Sequence, residues 1–224
     1  MKKHLLLSFV ALAFTTVVFN GCKDDEDTTP PTITLKGPNP DNLEMLTTYT
    51  DPGYTANDDQ DGDLTSSVIV NSEVDNRLPG DYEIHYELTD NAGNAADVHR
   101  EVSVNASGNA LAKTYNVIDT CGPVGFPQYT VTLTVSPSNA NRVIFNRFAD
   151  YDNNTAVYAN VSTDGTIDVP QQDALDIGTD VSDHTFTGID GYVTTNGFYL
   201  EYTDRNNSAI PVSTANCRSR FTRQ

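Results

Sequence analysis

Gly80-Asp81-Tyr82-Glu83-Ile84-His85-Tyr86-Glu87-Leu88 is the stretch on which the fold turns. Tyr82, Ile84, Tyr86 and Leu88 alternate with Glu83, His85 and Glu87. A period of two sends the apolar side chains to one face of a β-strand and the titratable ones to the other. Such a strand is half-buried and needs a partner for its apolar face. The chain supplies a returning strand at once. Thr89 to Ala95 carries Asp90-Asn91 and Gly93-Asn94, the turn chemistry of a hairpin. Val98, Val102 and Val104 then line the inner face of the strand that follows. Centring the hairpin on this turn sets His85 opposite His99 on the outer face, with Glu83 and Glu87 nearby.

Working outward to the N-terminal side, the segments stay short and β-like. Thr32-Ile33-Thr34-Leu35 reads as a first strand, ended by Gly37-Pro38-Asn39-Pro40. Leu43 to Tyr49 reads as a second, before Asp51-Pro52-Gly53. Tyr54-Thr55-Ala56 is a brief extended piece, and Val68-Ile69-Val70 another. About seven short strands in about 75 residues, with no amphipathic helix, predict an immunoglobulin-like β-sandwich over 32–105.

The same residues form an ordered motif series. Asp51-Pro52-Gly53-Tyr54-Thr55-Ala56 is followed by Asp61-Gly62-Asp63-Leu64-Thr65, then Gly80-Asp81-Tyr82. Tyr86, Asp90, Gly93, Asn94 and Ala96 come next, and Arg100, Val102 and Val104 close it. The series resembles the bacterial surface immunoglobulin-like domain that is also found in pesticidal crystal proteins and is related to hyaline-repeat modules. The resemblance spans roughly Pro31 to Asn105. It implies a β-sandwich acting as a spacer or adhesion unit, not a catalyst.

Beyond it, Ala106-Ser107-Gly108-Asn109-Ala110 is a small-residue linker, and 111–224 is again β-rich. Tyr129, Val131, Leu133 and Val135 alternate with threonines, the clearest strand in the chain. Asp164-Gly165 and Asn196-Gly197 mark two hairpins. Cys217 to Phe221 reads as the last strand. An antiparallel meander with short turns predicts either a closed barrel or a two-sheet sandwich. The chain as a whole is therefore expected to be all-β. This C-terminal part is only loosely similar to the C-terminal β-domains that follow such modules in surface lipoproteins.

The N-terminus reads as an export signal. Lys2 and Lys3 precede an apolar run from Leu5 to Phe19, and Asn20-Gly21-Cys22 follows. The run is short for a bilayer span, which takes about 20 residues. Gly21-Cys22 resembles the lipobox of a bacterial lipoprotein, with Phe19 in place of the common leucine and Asn20 in place of alanine or serine. That resemblance makes 1–21 a signal peptide and Cys22 the lipidated first residue. Lys23-Asp24-Asp25-Glu26-Asp27 looks like the export signal of Bacteroidota-type surface lipoproteins. Residues 22–31 then form an acidic tether, stiffened by Pro30-Pro31. The implied location is the outer membrane, with the chain lipid-anchored and facing the cell exterior.

Charge and cysteines bound the chemistry. Lys+Arg is 13 against Asp+Glu 31, net −18, a balance that repels phosphate backbones and argues against nucleic acid as a partner. Once Cys22 is lipidated, Cys121 and Cys217 remain as a pair in an oxidising compartment. They are expected to bridge the first and last strands of the second half. A zinc site is the rival reading, but no histidine neighbours either cysteine and there is no Cys-x-x-Cys.

The best candidate for a cofactor is the acidic loop Asp58, Asp59, Asp61, Asp63. Alternate carboxylates supply hard oxygens to calcium, and the same residues also serve as a solvated turn. It is not an EF-hand, because Val70 stands where the closing glutamate would be. His85 and His99 invite comparison with a two-histidine zinc site and read equally as surface histidines on paired strands. His184 sits in a threonine-rich strand with no partner evident in the sequence. Tyr151, Tyr158, Tyr192, Tyr199 and Tyr202 crowd the second half, as sugar-stacking platforms or as ordinary sheet packing. The sequence holds no Gly-x-Ser-x-Gly, His-Glu-x-x-His, phosphate loop or dinucleotide fingerprint. It selects no catalytic residue. The expectation is a non-catalytic binding or adhesion protein, for glycans or another surface component. The alternatives are a ligand-free structural spacer and a hydrolase whose site has no sequence signature.

Overall fold

An amphipathic strand such as 80–88 is stable only with another apolar face laid on its own, and here that face comes from a second small sheet. The computed structural model describes residues 26–121, 128–149, 157–174 and 184–224. The signal segment 1–21, Cys22 and Tyr151 lie outside the described residues. The first half has β1 (Thr32–Leu35), β2 (Asp41–Glu44), β3 (Tyr54–Asp58), β4 (Gly62–Asp63), β5 (Ile69–Ser72), β6 (Gly80–Thr89) and β7 (Ala95–Asn105). One sheet runs β2-β7-β6-β5 and the other β1-β3-β4. Ile84, Tyr86, Leu88, Val102 and Val104 from the larger sheet are buried in one cluster with Ile33 and Ala56 from the smaller. This is the immunoglobulin-like sandwich. His85 does pair with His99. The second strand is displaced from the expected Leu43–Tyr49. It runs parallel to β7 over Asp41–Glu44, and Leu46, at φ 68°, turns the chain out of the ladder.

The motif series has a physical meaning here. Arg100 on β7 is wholly buried. Its Nη2 donates to the Lys36 carbonyl at 2.6 Å and the Gly53 carbonyl at 3.2 Å. Its Nη1 donates to the Pro38 carbonyl and its Nε to the Tyr86 hydroxyl at 3.3 Å. The Tyr86 hydroxyl in turn donates to Asp51 Oδ2 at 2.9 Å. Asp51 Oδ1 accepts the Gly53 amide at 2.9 Å, and Gly53 sits at φ +92°, which glycine adopts without strain. One guanidinium thus ties two loops to the far sheet, using the donors that a buried arginine must satisfy.

Residues 106–110 are a packed joint rather than a loose one. The Ala106 amide donates to the Thr163 carbonyl at 2.9 Å. Ser107 Oγ accepts the Ala110 amide at 3.1 Å and so caps the short helix α1 (Gly108–Leu111). Leu111 is wholly buried.

The second half has β8 (Thr114–Asp119), β9 (Gln128–Ser136), β10 (Asn139–Phe145), β11 (Val157–Val161), β12 (Ile167–Asp168), β13 (Gln172–Ala174), β14 (His184–Thr194), β15 (Gly197–Asn206) and β16 (Ser213–Arg223). Consecutive strands pair antiparallel from β8 to β12 and from β13 to β16, and β16 pairs with β8. Segments β12 and β13 act as one strand. On one side β12 pairs with β11. On the other, β13 pairs with β14, Thr166 bridges Tyr192, and the Val193 amide donates to the Gly165 carbonyl at 2.9 Å. The Gly188 amide donates to the Val169 carbonyl at 2.8 Å along the same seam. The meander therefore closes into a barrel, and of the two expected architectures the barrel is the one formed. Gly191 permits the seam, because a Cβ there would run into the Ile167 carbonyl and come within 2.7 Å of the Leu200 side chain. Where β12 ends, the Gln172 side chain covers the edge of β11, accepting the Tyr158 amide at 2.9 Å and donating to the Tyr158 carbonyl at 2.8 Å.

The barrel is filled, not hollow. Tyr115, Phe145, Phe148, Phe186, Phe198, Tyr202 and Phe221 are at most 1% exposed. Phe198 and Phe221 stack with centroids 4.1 Å apart, and most of the other ring pairs meet edge to face. A barrel of this strand number has an interior just wide enough for side chains to fill it. Cys121 and Cys217 are joined by a disulfide, their Cα atoms 4.8 Å apart across the β8–β16 pair.

Candidate functional site on the outer face of the barrel

Among the described residues the interior is filled with side chains, and the outer face of the barrel is exposed. The pleat decides which residues appear there. On β15, Phe198, Leu200 and Tyr202 point inward, so Tyr199 and Glu201 point outward. Register then builds a row across five strands. Tyr192 lies opposite Tyr199, Tyr199 opposite Arg220, Arg220 opposite Ile118, and Ile118 opposite Gln128. Tyr192 is 48% and Ile118 42% exposed. The Tyr192 and Tyr199 rings lie 5.3 Å apart and are tilted by 37°.

A polar row runs beside it. The Tyr199 hydroxyl donates to Glu201 Oε1 at 2.7 Å, and Arg218 Nε lies 2.5 Å from the same oxygen. These contacts hold Glu201 below the usual carboxylate range, the tyrosine hydrogen bond foremost. Burial, then the Glu201 hydrogen bond, pushes the Tyr199 phenol up to about 12. At neutral pH the row therefore presents a neutral phenol, a carboxylate and a guanidinium. A groove of about 260 Å³ lies along Thr120, Ile189, Glu201 and Arg218. A second, of about 340 Å³, lies along Asn116, Ile118, Gln128 and Thr130. Aromatic faces beside fixed donors and acceptors suit a ligand with an apolar ring face and hydroxyl edges.

Of the other tyrosines singled out in the sequence, Tyr158 lies under Arg142, 4.1 Å from guanidinium to ring centroid. Tyr202 lies inside, donating to Asp119 Oδ2 at 2.7 Å. Asp119 is the buried carboxyl a hydrolase would need, and burial pushes it up. Its oxygens are occupied by Tyr202, by Ser219 Oγ at 2.8 Å and by the Cys121 amide at 2.7 Å. It faces the barrel core, not a cleft. Sequence reading missed the partner of His184, whose Nδ1 lies 2.6 Å from Asp204 Oδ1 in a buried pair. The alternation of β15 places Asp204 inside, but no sequence signal pairs it with His184.

The acidic loop is largely a turn. Asp58 Oδ1 accepts the Gln60 and Asp61 amides at 2.9 Å. Asp61 accepts the Asn91 amide at 2.8 Å and its side-chain amide at 2.7 Å. Asp63 accepts the Thr65 amide at 2.9 Å. The rings of His85 and His99 lie 6.1 Å apart, and His85 contacts Glu83 at 3.1 Å and Asp97 at 3.7 Å. No helix among the described residues is long and apolar enough to cross a membrane.

Solved structures that resemble the chain include the following three. One is a lipoprotein from Bacteroides thetaiotaomicron, 20% identical, with TM-score 0.34, covering 85% of this chain and all (100%) of its own. The second is CBM51-2 in complex with GlcNAc and INT domains from Clostridium perfringens ZmpB, 18% identical, with TM-score 0.27, covering 86% of this chain and 44% of its own. The third is the M60 catalytic domain with the CBM51-1 and CBM51-2 domains of the same Clostridium perfringens protein. It is 15% identical, with TM-score 0.28, covering 86% of this chain and 21% of its own. No curated protein matches the sequence. Residues 33–104, the sandwich that Arg100 ties together, match the family of the bacterial surface protein Ig-like domain.

Proposed function

We propose that the chain is a surface-exposed lipoprotein, anchored at Cys22 in the outer membrane, that binds a glycan or another surface component without catalysis. The sandwich acts as the spacer and the barrel presents the ligand face. The observation that carries this reading is the outward row Tyr192–Tyr199–Arg220–Ile118 beside Glu201 and Arg218. The match of 33–104 to an Ig-like domain of bacterial surface proteins supports a surface location and a binding or structural role. The lipobox-like Gly21-Cys22 and the acidic run behind it support the anchor.

A glycan-array screen tests the binding arm, with the chain from Lys23 to Gln224 and its Tyr192→Ala, Tyr199→Ala double variant. Hits that weaken about tenfold or more in the double variant are expected, since stacking platforms carry interface energy in excess of their area. A clean array, or hits indifferent to both tyrosines, would leave the ligand-free spacer as the better reading. Cell fractionation tests the anchor. Cys22→Ala should leave the protein without lipid, and quantitative retention in the membrane fraction would refute it.

A further inference from the structure

Asp58, Asp59, Asp61 and Asp63 read in the sequence as a calcium loop or as a solvated turn, and the structure divides that set. Asp61 and Asp63 are committed to turn amides. Asp58 and Asp59 instead meet a residue from outside the loop. One carboxylate oxygen from each of Asp27, Asp58 and Asp59 lies within 4.8 Å of the other two.

The second observation is at Asp58 itself. The residue is 3% exposed. Its Oδ1 is satisfied by the Gln60 and Asp61 amides. Its Oδ2 is buried and has no hydrogen-bond partner. A buried, unpartnered carboxylate oxygen beside two further carboxylates is unfavourable twice over, by desolvation and by repulsion. Among the described residues the two arginines of the sandwich are engaged elsewhere. Arg77 is paired with Asp75 at 2.8 Å, and Arg100 is spent on the Lys36, Pro38 and Gly53 carbonyls. Asp27 is not loose either. Its Oδ1 accepts the Thr29 amide at 3.0 Å, and its carbonyl accepts Asn94 Nδ2 at 3.2 Å.

We propose that Asp27, Asp58 and Asp59 form a calcium site that pins the acidic tether to the sandwich. Calcium takes carboxylate oxygens at about 2.3–2.6 Å, so oxygens on opposite sides of one ion stand about 4.6–5.2 Å apart. The cluster is within that span. The ion would neutralise the Asp58 oxygen and fix the chain where it leaves the tether. The site is independent of the barrel face and of any glycan.

Calorimetric titration of residues Lys23 to Gln224 with calcium chloride, after stripping with chelator, tests it. One site is expected, with Kd in the range of extracellular modules, about 10⁻⁴–10⁻³ M. Thermal unfolding should shift upward with calcium concentration. Asp27→Ala and Asp59→Ala keep every hydrogen bond of Asp58 and should each weaken binding about tenfold. Asp58→Asn should abolish it. Asp168→Asn, on the barrel, should change nothing. No heat and no thermal shift at about 10 mM calcium, well above that range, would overturn the proposal. So would binding that Asp27→Ala and Asp59→Ala leave unchanged, which would place the ion elsewhere.

Discussion

A single side chain, Arg100, joins β7 to the loop that follows β1 and the loop that precedes β3. It reaches the carbonyls of Lys36, Pro38 and Gly53 and the hydroxyl of Tyr86. Removing it takes the guanidinium donors from the Lys36 and Pro38 carbonyls, leaves the Gly53 carbonyl only the Lys36 amide, and leaves Asp51, 3.5 Å away, without its cation. Breaking a buried pair from one side costs about 3–5 kcal/mol. Arg100→Ala should therefore lower the unfolding free energy of the sandwich by about 3 kcal/mol or more. Arg100→Lys should recover only part of this, because an ammonium has no planar fork to span separate carbonyls. Urea denaturation of the variants measures both. A loss under about 1 kcal/mol for Arg100→Ala would show that water replaces the guanidinium.

At the scale of elements, closure of the barrel rests on the β8–β16 pair, and the disulfide sits across it. Cys121 and Cys217 are separated by 96 residues. Closing a loop of that length costs the unfolded chain about 4–5 kcal/mol of entropy, by the chain-entropy model. Replacing both cysteines with serine should destabilise the barrel by about that amount, read by urea denaturation with and without reductant. No difference between oxidised and reduced protein would mean that the β8–β16 ladder alone sets the stability. Much of this was legible in the sequence. Alternation over Tyr129–Val135 and the Asn196-Gly197 turn gave the strands and one hairpin, and the leftover cysteine pair gave the adjacency of first and last strands. What was not legible is the seam. Ile167–Asp168 and Gln172–Ala174 are too short to show a period, and their pairing with β14 depends on Gly188 and Gly191, whose lack of side chains reads in sequence only as a weak spot. The last strand starts at Ser213, four positions before Cys217, because its first residues are polar and pair outside the core. The site row was illegible for a related reason. Tyr192, Tyr199, Arg220 and Ile118 are far apart in sequence, and only the register across four strands aligns them.

At the scale of the whole molecule, every ladder stays within 32–105 or within 114–223. What crosses the boundary is small. The Ala106 amide bonds Thr163, Ser107 Oγ lies 2.5 Å from Glu44 Oε1, and Pro79 packs beside Gly165. The buried apolar residues form one cluster that passes through the joint at Ala106, Ala110 and Leu111, with Ile84 to Val104 on one side of it and the aromatic stack on the other. We propose, from the division of the ladders, two units that fold separately and are held in a fixed relation by a short joint. Residues 28–106 and 107–224, expressed apart, should each unfold in one cooperative transition. Cutting at the joint removes one backbone hydrogen bond, one side-chain hydrogen bond and the Pro79–Gly165 contact, so each fragment should lose only about 1–3 kcal/mol against its behaviour in the intact chain. Asp81→Lys, at the rim of the groove that Gly80, Val104, Thr163 and Asp164 share, should alter the coupling between the transitions and not the stability of either fragment. Urea unfolding of both fragments and of the whole chain, followed by circular dichroism, measures this. A fragment that is unfolded alone would show that the joint is part of a shared core. The spacer and the ligand face would then be one body, and any rigidity conferred by calcium on the tether would reach the barrel directly.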